Sequence, residues 1–249
     1  MSRKYNPTDS LIYKNIDLDS DKRIVFLSGY GIEICKQREG FVRRFALNSG
    51  VSYLALDYTK YLESDPKNMD TVFTKTMEIL SNLSPKERLF LCGPCFGGMM
   101  ALRTASKIPE RVGGVIAIAP AYETPAFSWI EKADQFLERR ISRLERKSVD
   151  KKMIQKMIAF RQVVIDVFKR HAREKIESTY QGPVALFHGQ KDNLIPVENL
   201  EHVQADLKNP NTFSHIIPNG SHTLSNDFEM QAQIRVLKEQ LGYTKSILS

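Results

Sequence analysis

Cys95 stands in Gly93-Pro94-Cys95-Phe96-Gly97-Gly98, between the apolar run Arg88 to Cys92 and the helical pattern Met99-Met100-Ala101-Leu102. This is the form of a nucleophile elbow, G-x-S-x-G, with Cys where Ser usually stands. In such a turn the nucleophile is held in a strained backbone conformation, and glycines two residues before and two after it avoid clashes with the neighbouring strand and helix. The side chain then projects above the sheet, over the positive end of a helix, where a thiolate and later an oxyanion are favoured. The plainer alternative is a glycine-rich turn in which Cys95 is small filler, and the strand and helix on either side weigh against it.

A thiol nucleophile needs a base, and the base needs an orienting carboxylate; in an elbow-type enzyme the chain order is nucleophile, acid, histidine. Asp192 follows the apolar run Val184 to Phe187 in His188-Gly189-Gln190-Lys191-Asp192, and His222 follows Phe213 to Ile217 in Pro218-Asn219-Gly220-Ser221-His222. Of the five histidines, His188 reads as a fastener of loops beside a glycine. His202 falls in a helix, His171 in a helical insertion and His215 inside a strand. Asp57 is the rival acid, but it precedes Cys95 and reads as a structural or pocket carboxylate. Oxyanion donors are expected from the backbone NH of Phe96 and from that of Tyr30 in Ser28-Gly29-Tyr30-Gly31.

Strands alternating with helices must position these residues. Ile24 to Leu27, Val51 to Leu56, Arg88 to Cys92, Val112 to Ala119, Val184 to Phe187 and Phe213 to Ile217 read as strands, with helices over Gln37 to Asn48, Met69 to Leu83, the stretch up to Lys107, Val197 to Leu207 and Asp227 to Leu241. Near-continuous apolar strands of this kind predict a mostly parallel sheet covered by helices on both faces, with its site at the carboxyl ends of the strands. Between Tyr122 and Thr179 the strand signal stops. Two amphipathic helices are drawn there, near Glu131 to Arg146 and Lys151 to Lys175, with Phe136, Leu137, Ile141 and Leu144 inward on the first and Met153, Met157, Phe160, Val164 and Phe168 inward on the second. This divides the chain into a core of residues 1–121 and 180–249 and a helical lid of residues 122–179. Met153, Met157 and Phe160 are the candidate lid residues against substrate, since flexible methionines suit extended acyl chains. A helical pair that only stabilises the fold is the alternative.

The 249 residues, 42% hydrophobic and 26% charged, describe one folded domain. Of the net charge of +7, the segment from Glu131 to Glu177 holds all but one, with 14 Lys and Arg against 8 Asp and Glu. A local excess of this kind marks a surface feature near one site, and nucleic acid is not expected as a partner. Arg139, Arg140, Arg143, Arg146, Lys147, Lys151 and Lys152 form an outward basic face suited to an acidic leaving group, an acidic carrier or a membrane surface. Three cysteines, Cys35, Cys92 and Cys95, make neither a disulfide framework nor a metal site, and no metal or organic cofactor is expected. Leu89 to Leu102 is short and interrupted by glycine and proline, against the roughly 20 apolar residues of a membrane span. The polar N-terminus lacks a secretory signal, which gives a cytoplasmic expectation.

The order Leu-Ser-Gly-Tyr-Gly, Gly-Pro-Cys-Phe-Gly-Gly, His-Gly-Gln-Lys-Asp and Gly-Ser-His resembles the α/β-hydrolase superfamily over almost the whole chain, and Ala105 to Val112 after the elbow is similar as well. The helical cap and the Asp192 and His222 segments look most like the palmitoyl-protein thioesterase and acyl-glucuronide esterase group. The resemblance implies an α/β-hydrolase fold, a Cys95, Asp192 and His222 triad, Phe96 and Tyr30 at the oxyanion hole, and cleavage of an acyl ester or thioester, free or linked to a carrier or protein. Those enzymes carry Ser in the elbow. The Cys form of the elbow is similar to dienelactone hydrolase; those proteins lack a helical insertion of this size, so that likeness is to the elbow and not to the chain, and it makes a lactonase one alternative. A non-catalytic binding protein of the same fold is another, and a Ser replaced by Cys to hold an acyl intermediate would give the same sequence.

Overall fold

The computed structural model describes residues 11–29, 32–58, 69–122, 129–147, 150–171, 179–224 and 227–242. Tyr30 and Gly31 lie outside them, as do the side chains of Cys35, Val164, Phe168 and His171.

Among the described residues seven strands form one sheet: β1 (Ile12–Ile16), β2 (Lys22–Leu27), β3 (Ser52–Leu56), β4 (Arg88–Pro94), β5 (Val112–Ile118), β6 (Val184–Gly189) and β7 (Thr212–Ile217). They run in the order β1-β3-β2-β4-β5-β6-β7. Only β1 is antiparallel, paired with β3; every other pair is parallel. The sequence reading missed β1, a short edge strand whose Lys14 and Asn15 dilute its apolar signal. Helices α1 (Ile32–Asn48), α2 (Met69–Ser81), α3 (Phe96–Lys107), α6 (Asn199–Leu207) and α7 (Asp227–Gln240) cover the two faces, giving two apolar layers. The central strands are buried over nearly their whole length, as a doubly covered parallel sheet requires.

Between β5 and β6 the chain makes the helical pair α4 (Ile130–Arg146) and α5 (Lys151–His171). Ile130, Ala133 and Leu137 of α4 bury into the same apolar layer that Cys95 packs against, and Phe136, Met157 and Phe160 lie on its margin. Trp129 anchors the start of the pair by donating its indole NH to the Tyr122 carbonyl at 3.1 Å. Arg161 of α5 binds Asp134 of α4 at 2.5 Å and reaches Glu138 at 3.7 Å, fixing one helix on the other. The expected inward set needs one correction. Met153 is 45% exposed, and its neighbour Ile154 is the buried residue of that turn. The helix is rotated about one residue from the reading because apolar side chains at Met153, Ile154, Met157, Ile158 and Phe160 make a stripe too wide to fix its phase. The basic residues Arg139, Arg140, Arg143, Arg146, Lys147, Lys151 and Lys152 are all exposed. No described helix is long and apolar enough to cross a membrane.

Candidate active site

The turn from β4 into α3 is built by contact between backbones. A Cβ on Gly93 would sit 2.6 Å from the Leu27 carbonyl oxygen, and one on Gly97 would sit 2.6 Å from the Ser28 carbonyl oxygen; both lie far inside van der Waals contact. Only glycine lets the turn lie this close to the end of β2. Between them Cys95 takes φ 51 and ψ −118, a left-handed conformation that costs a non-glycine residue of order 1–3 kcal/mol. The strain is held by hydrogen bonds to the end of β5 and the residues after it. The Cys95 NH donates to the Ile118 carbonyl at 2.7 Å, and the Cys95 carbonyl accepts from Ala121 at 3.0 Å. Cys95 is thereby partly exposed at the first turn of α3. Cys92, three residues earlier, is buried in β4, and burial pushes its thiol up to about 12. Of these two thiols, position makes Cys95 the accessible one.

The loops after β6 and β7 are stitched to each other. Gln190 NH donates to the Ile217 carbonyl at 3.0 Å and Lys191 NH to the Gly220 carbonyl at 2.8 Å. Gly189 permits this approach, since a Cβ there would lie 2.5 Å from the Ser221 carbonyl oxygen. Asp192 and His222 are brought together as a result, with His222 Nδ1 2.8 Å from Asp192 Oδ2. Cys95 also acts electrostatically on the imidazole, which places the ring between carboxylate and thiol. The other Asp192 oxygen, Oδ1, accepts the backbone NH groups of Leu194 at 2.8 Å and Ile195 at 2.9 Å. His188, fully buried, places Nε2 2.9 Å from the Ile195 carbonyl and 3.2 Å from Asp192 Oδ2. It fastens the Asp192 loop from below. Asp57 follows β3, where its NH binds the Leu11 carbonyl at 2.8 Å, and the acid on His222 is Asp192. Phe96, next to Cys95, buries its ring edge-on to Tyr58 with centroids 5.4 Å apart.

The electrostatics follow from these contacts. Burial opposes ionisation of Asp192, but the His222 charge, hydrogen bonds from His188 and His222, and the Ile195 NH hold it well below the ordinary carboxylate range. Burial likewise disfavours a charged His222; Asp192 and Cys95 outweigh it and push the imidazole up to about 10. A raised histidine contributes stability that is complete below its unfolded value of 6.5 and is lost as pH climbs towards 10. A depressed aspartate contributes stability that is present above 3.8 and is lost as pH falls below it. Thermal denaturation should therefore show a plateau between about pH 4 and 6.5 with a fall on either side. His222→Ala should flatten the alkaline fall and Asp192→Asn the acid one. Unchanged slopes in both variants would contradict these assignments. Among the described residues no cluster of His, Cys, Asp and Glu could hold a metal ion.

Comparison with known proteins agrees with this architecture. The structure is similar to alpha/beta hydrolase domain-containing protein 10 from mouse, with a TM-score of 0.68 and 18% identity over 96% of this chain and 97% of that one. It is similar to a Pyrococcus furiosus esterase, with a TM-score of 0.65 and 17% identity over 98% of this chain and 95% of that one. Est1E from Butyrivibrio proteoclasticus gives 0.61 and 16% over 90% of both chains. At these identities the likeness is one of fold. No curated protein sequence matches at a significant level. The family model described as serine aminopeptidase, S33 matches residues 19–166, more than half of the chain; that stretch contains Cys95 and ends before Asp192 and His222, whose pairing rests on the geometry above. The chain belongs to the serine aminopeptidase, S33 family of α/β-hydrolases.

Proposed function

We propose that this hydrolase cleaves an acyl ester or thioester through a covalent acyl-enzyme on Cys95. The observation that carries the reading is His222, hydrogen-bonded to the Asp192 carboxylate and under the electrostatic influence of Cys95, the residue held on the strained elbow. Cys95 Sγ attacks the acyl carbonyl carbon, and the carbonyl π pair moves onto oxygen. The backbone NH groups of Phe96 and Tyr30 receive that oxyanion. His222 carries the thiol proton and delivers it to the leaving alkoxide or thiolate as the tetrahedral intermediate collapses. Water then attacks the acyl-thioester, giving its proton to His222, and the carboxylic acid leaves as Cys95 is restored. Asp192 holds the imidazole by Nδ1 and stabilises its charged form. Helices α4 and α5 act as a lid with Met157 and Phe160 towards the acyl group. The exposed arginines of α4 suit an acyl group on an anionic or acidic carrier.

Limited iodoacetamide treatment followed by peptide mapping tests the nucleophile, and a panel of acyl esters, acyl thioesters and a dienelactone tests the reaction. Alkylation should fall on Cys95 first, and loss of hydrolysis should track it in proportion. Labelling of Cys35 or Cys92 with activity retained would refute the assignment; turnover of the lactone alone would favour the lactonase; no turnover of any of these substrates by the unlabelled protein would favour a binding protein.

A further inference from the structure

The turn that carries His222 is unusual in its backbone. Asn219 at φ 60 and Leu224 at φ 39 both lie in the left-handed region, on either side of the histidine. Such a turn persists only where its surroundings over-determine it. Leu224 is fully buried in the apolar layer containing Phe187 and Leu237. That anchors one side chain and leaves the Thr223 and Leu224 carbonyls to be satisfied. Both are met by one residue distant in sequence. Arg38 of α1, 4% exposed, donates Nη2 to the Thr223 carbonyl and, at 2.6 Å, to the Leu224 carbonyl.

Arg38 thus places a buried cation against the two peptide units that follow His222. Hydrogen bonds from a charged donor are about twice as strong as neutral ones. Two of them on consecutive carbonyls fix the plane of the turn as well as its position. Arg38 also links separate parts of the site, because α1 begins a few residues beyond Ser28 and Gly29 at the end of β2. Arg23, by contrast, spends its buried guanidinium on Glu87 and Asp17, at the far end of β2 from Ser28.

On the catalytic reading above, we infer that Arg38 is a positioning residue of the reaction: its guanidinium holds the 221–224 turn so that His222 keeps its bond to Asp192 and its place towards Cys95. It touches neither substrate nor the reacting atoms and acts through His222. A displacement of about 1 Å in a catalytic group can cost on the order of a hundredfold in rate. Loss of Arg38 should lower kcat by about that factor and leave KM nearly unchanged.

The test separates this from ordinary structural support by a double-mutant cycle read on Cys95 itself. The second-order rate of iodoacetamide alkylation at pH 6 is measured in the full-length chain for wild type, Arg38→Met, Arg38→Lys, His222→Ala and Arg38→Met/His222→Ala, with circular dichroism and thermal denaturation confirming that each is folded. Arg38→Met should slow alkylation at least tenfold. Arg38→Lys, which keeps the charge without the planar fork, should recover part of the rate and carries the test if the methionine variant fails to fold. In the His222→Ala background the same Arg38→Met change should have no further effect, because the group through which it acts is gone. An equal slowing in both backgrounds would make Arg38 a structural residue only, and unchanged alkylation in Arg38→Met and Arg38→Lys would also overturn the inference. Wild-type Cys95 that fails to react would instead refute the proposed nucleophile, so the two readings fail separately.

Discussion

Cys95→Ala should abolish acyl hydrolysis, with a loss on the order of 10⁶-fold in kcat, the scale seen when a triad nucleophile is removed. Cys95→Ser should not do so. Serine is the usual residue of this elbow, and the backbone that strains Cys95 and aims it at His222 does not depend on sulfur. In Cys95→Ser the hydroxyl gives up its proton only as it attacks, so the imidazole must be neutral to act as base; Asp192 holds His222 up, and activity of this variant should therefore rise with pH. A pH profile of kcat/KM for an acyl ester checks this. A flat profile in Cys95→Ser would contradict His222 as its base, and full activity in Cys95→Ala would place the nucleophile elsewhere.

Why Cys95, Asp192 and His222 stand out in the sequence as candidates while Arg38 does not is a matter of what leaves a trace in residue types. Cys95 and Asp192 lie just after buried strands, and a strand buried on both faces shows itself as an apolar run, so β4 and β6 point to the loops that carry them. β7, before His222, is a largely exposed edge strand and shows itself only through Phe213, Ile216 and Ile217. The elbow adds a glycine spacing imposed by backbone contact with β2. Arg38 sits among Lys36, Gln37 and Glu39, where it reads as a solvated helix face, and its partners are peptide carbonyls, which every residue has. The His188 contacts were half legible: its place at a strand end beside Gly189 indicated a fastener, but the sharing of Asp192 Oδ2 depends on a loop geometry that no pattern encodes. β1 escaped because an edge strand exposed along part of its length needs few apolar residues. The rotation of α5 that exposes Met153 and buries Ile154 escaped for the opposite reason, an excess of apolar residues around the helix.

Asp192→Asn should lower kcat by about ten-thousandfold while leaving the fold in place, the scale expected when the base is held in the wrong tautomer. The local geometry dictates which tautomer results. Backbone NH groups of Leu194 and Ile195 point at Oδ1 from 2.8 and 2.9 Å, so the amide oxygen of an asparagine must take that position. Its NH₂ group then replaces Oδ2 and faces His222 Nδ1, the nitrogen that in the native site donates to the carboxylate. Nδ1 must become an acceptor and the ring proton moves to Nε2. There the imidazole donates towards Cys95 and no longer accepts its proton. The same NH₂ group meets His188 Nε2, which lies 2.9 Å from the Ile195 carbonyl and so already donates in that direction. Both histidines are therefore opposed by one substitution of nearly equal volume. Asp57→Asn has no such effect to exert, and its rate should stay within about tenfold of wild type. Steady-state kinetics on one acyl ester, with thermal denaturation to show that both variants fold, compares the two; a larger loss in Asp57→Asn than in Asp192→Asn would reverse the assignment of the acid.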